Sequence, residues 1–482
     1  MGDRPAALKM YNAAFEAVKN QNYKDWAVHA YGLLQSACIV DPTFGQAWAD
    51  NANSNGDISR LHAAVACYRR ALDGDLGTDK RIEVLSNTSW RLNQLGEFEE
   101  ALSFAQRAVE LGPHEAYPWV NLSQAHGAFG ERVAALAAAR KAYELKPSDT
   151  ATQFNLAFAL LFNEDYAEGF KFLESRFEHR LKNYLTYPYP KWEGEKDATV
   201  FLVADQGMGD TLSFSRFLEH ASKRAKYIHA MVQPALLRAF TETFAHLPNV
   251  NFTPISTSYP QADAWTTFVS LPFALQLTND EIKNAPHPRL PVYGMSDTWK
   301  MPDIKCHIGI AWAGSALNDL DKWRSFPMIH FLDLYKVPGI QLYSLQLDDR
   351  KLDLGHFGAE SLVRDMSGWV SDVVDTVAML QHLDLVITCE SALAHIAGAI
   401  GKEVWIPYSY HAHDYRLGHD GKSMLWYGKT HRLFIQDRDM RWDKVFARIT
   451  TALQERIDAL GNPGEQTQKM VGRHGPRAVA RR

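Results

Sequence analysis

The chain has 482 residues, enough for two or three domains at about 150 residues each, which excludes a single small module. Hydrophobic residues make up 46% and charged residues 22%, so there is apolar material for large cores and wholesale disorder is excluded. With 51 basic against 56 acidic residues the formal charge is −5, which excludes a chain built chiefly to neutralise nucleic-acid phosphates.

The amino terminus, MGDRPAALKMYNAAFEAV, lacks an apolar core behind its charges, and no stretch of about 18 apolar residues follows, so no transmembrane segment is expected. Cys38, Cys67, Cys306 and Cys389 lie far apart with no CxxC pair, which fits a reducing compartment and a cytoplasmic protein. Further along, Asn87, Asn121 and Asn155 recur every 34 residues, in register with Gly96 and Gly130, Ala101 and Ala135, Ala108 and Ala142, and Pro113 and Pro147. The segments ALSFAQRAVELGP and ALAAARKAYELKP place alanines where paired helices approach and end in a proline that cannot continue a helix. An earlier copy begins at Ala64 and another pair ends at Asp41-Pro42, giving four or five helix–turn–helix units. These residues resemble the tetratricopeptide repeat over roughly Met10 to Arg180, which implies an α-solenoid over 1–184 and a protein or peptide partner bound through the repeats.

The period fades after Phe177 into HRLKNYLTYPYPKWEGEKDA, which places a boundary near residue 185. Beyond it, apolar runs of strand type (Thr199 to Ala204, Cys306 to Trp312, Gln341 to Leu345, Leu383 to Cys389) alternate with helical segments, predicting parallel sheets wrapped by helices. The proline-dense stretch from Pro286 to Pro302 divides this region into lobes at 185–295 and 296–462. Ligands of open α/β sheets sit where strands hand over to helices, and three such turns stand out. The first is Gln206-Gly207-Met208-Gly209-Asp210, with a helix expected from about Thr211; its glycines admit a close backbone approach, while Asp210 alone also reads as a helix cap. The second is Trp312-Ala313-Gly314-Ser315, followed by Lys322 and Arg324, cations able to face a diphosphate. The third is Glu390-Ser391-Ala392-Leu393-Ala394-His395, a carboxylate, free helix amides and an imidazole at a strand end.

The third turn, continued by AGAIGKEVW, resembles the donor-binding signature of heptosyltransferase-like glycosyltransferases, which have the two-lobed GT-B fold. DQGMGDTLSFSRFL and IGIAWAGS with RSFP resemble that family's acceptor-lobe turn and phosphate loop, and members preceded by tetratricopeptide repeats resemble the chain over about residues 10 to 455. The resemblance implies a solenoid followed by paired Rossmann-like lobes, a nucleotide-sugar donor and inverting transfer to an acceptor hydroxyl, with no metal and no separate cofactor. It implies that Asp210 deprotonates the acceptor, that Glu390 holds sugar hydroxyls, and that Ser391, Arg324, Gly314 and Ser315 hold the diphosphate. Gln346 would face the base or ribose and His395 the donor, with Gln206, Gly207, Gly209, His413 and Arg416 lining the acceptor side of the cleft.

Other readings compete with this one. His411, His413, Asp414 and His419 have spacing that a zinc or iron site could use, against which stands a polar loop lining the cleft. The repeats could be the whole function, with the transferase region a degenerate scaffold or nucleotide-sugar sensor. The acceptor is left open among protein, glycan and a modified nucleic-acid base, and the cationic stretch 463–482 reads as a disordered tail.

Overall fold

The computed structural model describes residues 2–16, 23–179, 186–316, 318, 321–411, 414–416, 424–428 and 430–460. The chain packs as two compact units, the first running through Thr186 and the second beginning at Tyr187. The expected boundary near residue 185 and the tail from residue 463 lie outside the described residues.

The first unit is a tetratricopeptide-like helical solenoid. Its successive helix pairs are Arg4–Glu16 with Tyr23–Val40, Gly45–Asp57 with Leu61–Asp73, Thr78–Leu95 with Phe98–Leu111, Ala116–Ala128 with Arg132–Leu145, and Thr150–Phe162 with Tyr166–Leu173. The periodic alanines explain the close approach: Ala64, Ala71, Ala101, Ala108, Ala135 and Ala142 are all buried. The periodic glycines explain the turns, because Gly96 (φ 85°) and Gly130 (φ 70°) take the left-handed conformation that ends a helix. Glu164 stands at the equivalent place of the next pair and adopts φ 61° without glycine's freedom. Asp149 caps the Thr150–Phe162 helix by accepting from the amides of Ala151 and Thr152.

The second unit holds two parallel sheets. Strands β1 (Thr199–Val203), β2 (Tyr227–Val232), β3 (Val250–Pro254) and β4 (Ala264–Thr267) pair in the order β3-β2-β1-β4. Strands β5 (Cys306–Ala311), β6 (Ile340–Ser344), β7 (Arg364–Asp365), β8 (Leu385–Thr388), β9 (Val404–Tyr408) and β10 (His431–Ile435) pair in the order β10-β9-β8-β5-β6-β7. The second order is that of a doubly wound Rossmann sheet, reversing direction between β5 and β8. Both faces of β5 are covered, so all its residues are buried, and the run is apolar apart from His307, whose Nδ1 lies 2.9 Å from the Tyr343 hydroxyl. Ile308 pairs with Leu342 on one side and Leu385 on the other, and Phe331, Leu334 and Phe446 close the core beneath them. Residues 285–305, between the sheets, contain no helix or strand, and Pro286, Pro288 and Pro291 disfavour both at the start of this stretch.

Candidate functional site

The strand ends place two of the predicted turns side by side. β5 and β8 are neighbours with Ala311 opposite Thr388, so the chain leaving β5 at Trp312 and that leaving β8 at Cys389 emerge at the switch point of the sheet. There a cavity of about 520 Å³ opens, lined by Gly314, Ser315, Gln346, Arg350, Asp372 and Ser391, with Met208 of the first sheet's turn also on its wall. Ser391 is the residue before the Ala392–Ala399 helix and makes no capping bond to it, its hydroxyl lying 3.3 Å from Thr388 Oγ1 instead. The start of this helix, at Ala392 and Leu393, therefore faces the cavity without a side-chain cap.

Beside the cavity runs a chain of alternating charge. Arg350 Nη2 lies 2.6 Å from Asp321 Oδ2, and Asp321 Oδ1 lies 3.5 Å from Arg324 Nε. Arg324 Nη1 lies 3.1 Å from Glu390 Oε2, Glu390 Oε1 lies 4.0 Å from Arg416 Nη2, and Arg416 Nη1 lies 3.3 Å from Asp210 Oδ1. Burial pushes the Glu390 carboxyl up, but the hydrogen bond to His395 and the charges of Arg416 and Arg324 outweigh it and hold the group well below the usual carboxylate range. Burial likewise opposes the charge on Arg324, and Glu390 and Asp321 reverse the effect and raise it. Cys389, buried next to Glu390, is pushed up to about 12 by desolvation and stays an inert thiol.

Glycines make this arrangement possible. A Cβ on Gly314 would occupy the place of the Arg324 guanidinium, so the glycine makes room for that cation. A Cβ on Gly209 would fall 2.6 Å from His395 Cδ2, which explains how the Met208–Phe214 helix lies directly against Ala392–Ala399. That helix starts at Met208, not near Thr211, because Gly207 is its N-cap; Asp210 thus sits in the first turn rather than at the cap.

The predicted residues fall into two groups. Gly314, Ser315, Gln346 and Ser391 line the cavity, whereas Asp210, Glu390, Arg324, Arg416 and His395 form the partly buried polar network beside it. Two of these side chains are also held by the protein itself. Gln346 Oε1 accepts from the amides of Trp312 and Ala313 while Nε2 donates to the Ala313 carbonyl and Asp348. Glu390 is engaged by Arg324 and His395 at its two oxygens. Gln206 and Gly207 are exposed in the turn, where the Gln206 carbonyl accepts from Gln233. His413 and His419 lie outside the described residues. Asp321, Arg350, Ser213 and Tyr427 also belong to the network; in the sequence only the i, i+3 spacing of Asp321 and Arg324 signals it.

Fold and site together define a helical-repeat protein joined to a parallel-sheet α/β region with a cavity at its switch point. No protein-family model matches the chain. Over 436 residues it is 25% identical to protein FlbA of Caulobacter vibrioides, a match covering 83% of this chain and 71% of that protein. Among solved structures it is similar to YrrB, described as a tetratricopeptide protein with an unusual peptide-binding site, at 18% identity and a TM-score of 0.29, covering 37% of this chain and 88% of that one. It is also similar to pilF of Pseudomonas aeruginosa, at 19% identity and a TM-score of 0.31, covering 36% and 78% of the respective chains. Among the described residues no helix is long and apolar enough to cross a membrane.

Proposed function

We propose that the α/β region is a GT-B-type glycosyltransferase that moves a sugar from a nucleotide-sugar to an acceptor hydroxyl. The observation that carries this reading is the cavity at the β5/β8 switch point, into which the Ser391 helix start opens beside a charge chain ending on Asp210. The amides of that start and the Ser391 hydroxyl suit the diphosphate, with Arg324 close behind Gly314 as the supporting cation. Asp210, with its side chain 27% exposed, takes the acceptor proton; the acceptor oxygen attacks the anomeric carbon, and the bond from that carbon to the phosphate oxygen breaks. The electron pair leaves with the nucleoside diphosphate, and the configuration inverts. Arg416 bridges the carboxylates of Asp210 and Glu390 and so keeps the base aligned with the donor side.

The repeats are proposed to recruit a protein or peptide partner, as stacked helix pairs commonly do. A second reading, a repeat scaffold with a silent sugar-nucleotide domain, is favoured by one feature: Arg324 and Arg416 already face carboxylates. The test is slow hydrolysis of nucleotide-sugars by the full chain. Turnover that disappears in Asp210→Asn supports the transferase; nucleotide binding without turnover in the native chain supports the scaffold.

A further inference from the structure

The polar network continues past His395 to a side chain that the proposed chemistry does not use. Tyr427 lies between two imidazoles, His287 at 4.5 Å and 12° on one face and His431 at 4.5 Å and 20° on the other. A Cβ on Gly398 would strike both Tyr427 and His431, so the helix that begins beside the cavity makes room for this stack. His287 Nε2 meets the Trp426 carbonyl and His431 Nε2 lies 3.1 Å from the Ala394 carbonyl, so each ring donates to backbone. Desolvation pushes His287 down to about 4, with the Arg216 charge adding to the effect, and pushes His431 down to about 3. Two neutral rings therefore clamp the phenol.

The clamped hydroxyl lies 2.8 Å from His395 Nδ1 and 3.0 Å from Ser213 Oγ. Ser213 also lies 3.1 Å from Nδ1, but it donates its one hydrogen to the Gly209 carbonyl at 2.8 Å and accepts from Arg416 at 3.4 Å. A bare Nδ1 can then take a hydrogen from Tyr427 and not from Ser213. The other ring nitrogen, Nε2, faces Glu390 Oε1 at 3.3 Å, where an anion demands a donor. We propose that Tyr427 is a positioning residue: its hydroxyl donates to His395 Nδ1, holds the Nε2–H form aimed at Glu390, and through Glu390 and Arg416 sets the carboxylate of Asp210. The catalytic part of this inference rests on the transferase reading, whereas the hydrogen-bond order does not.

The experiment uses the full chain with histidine labelled in nitrogen-15, the His395 signals being assigned by their loss in His395→Gln. The native chain is expected to show a bare Nδ1 and a protonated Nε2. Tyr427→Phe keeps the ring stack and removes the donor; it is expected to shift the His395 signals away from that form and to lower turnover about tenfold, the weight of one hydrogen bond, with nucleotide affinity unchanged. Ser213→Ala, which removes the other neighbour of Nδ1, is expected to leave Nδ1 bare. A protonated Nδ1 in the native chain, or unchanged His395 signals in Tyr427→Phe, overturns the proposal. Absence of any turnover in the native chain would instead sink the transferase reading, and the nitrogen signals would still decide whether Tyr427 is the donor.

Discussion

Gly209→Ala separates two opposing effects at a single atom. Helix propensity alone favours alanine over glycine by up to about 1 kcal/mol inside a helix, so a substitution with free space would stabilise. Here the added Cβ falls 2.6 Å from His395 Cδ2, well inside contact. The imidazole has little room to yield: it is 3% exposed, bonded to Tyr427 at Nδ1 and to Glu390 at Nε2, with Ser213 Oγ packed 3.1 Å from Nδ1. Overpacking costs about 1–3 kcal/mol, and a contact this deep against a fixed ring belongs in the upper part of that range, about 2–3 kcal/mol, which exceeds the propensity gain and leaves a net loss of about 1–2 kcal/mol. The assay is denaturant unfolding of the native, Gly209→Ala, His395→Ala and doubly substituted chains. In the double variant the clash is absent, so the cost of Gly209→Ala should vanish or reverse, a coupling of at least about 1 kcal/mol. A Gly209→Ala chain as stable as the native one, with costs that simply add, would refute the packing argument.

Gly127 is the counterpart: it lies in the Ala116–Ala128 helix with nothing near its Cβ direction, so Gly127→Ala should stabilise the repeats by about 0.5–1 kcal/mol in the same unfolding assay. Glu390→Gln removes the anion shared by Arg324, Arg416 and His395 and should cost about 3 kcal/mol, at the low end for a broken buried pair because Asp321 and Asp210 still hold the two arginines. His431 is held neutral with its pKa at about 3, so below the unfolded value of about 6.5 the unfolded chain binds the extra proton. Stability should therefore fall with pH between about 6.5 and 3, by up to about 1.4 kcal/mol per pH unit from this group, and thermal melts of His431→Gln across that window should show a shallower slope. Asp210→Asn should reduce turnover by about 100-fold or more while a calorimetric titration with the nucleoside diphosphate is unchanged.

What the sequence reveals here follows how local the physics is. The 34-residue register is legible because each repeat meets only its neighbours, so alanines at helix contacts and glycines at left-handed turns recur at fixed spacing. Glu164 shows the limit, taking a glycine's conformation with no change in pattern to announce it. β1, β5, β6 and β8 are visible as apolar runs because they are covered on both faces. β3 is half exposed and β7 has two residues, so neither carries a pattern that distinguishes it from a loop. The start of the Met208–Phe214 helix is hidden because two glycines argue against a helix and only the contact with His395 explains Gly209. Glu390 and Asp210 are legible as a carboxylate at each turn; that Arg416 joins them is not, since it lies more than 200 residues beyond Asp210 and meets it only through the fold. Gln346 shows a contact that no local pattern announces, a polar residue at a strand end that accepts from the backbone of the neighbouring turn.

The most direct test of the central claim is the melting temperature of the α/β unit in the presence of nucleoside diphosphates and their sugars. A ligand that binds only the folded chain stabilises it by about 2.7 kcal/mol at 100 times its dissociation constant. The account predicts that at least one nucleoside diphosphate raises the melting temperature of the native chain and fails to do so in Ser391→Tyr, whose new ring would fill the cavity wall at the start of the Ala392–Ala399 helix. No shift across a broad panel, or a shift retained in a cooperatively melting Ser391→Tyr chain, would contradict it.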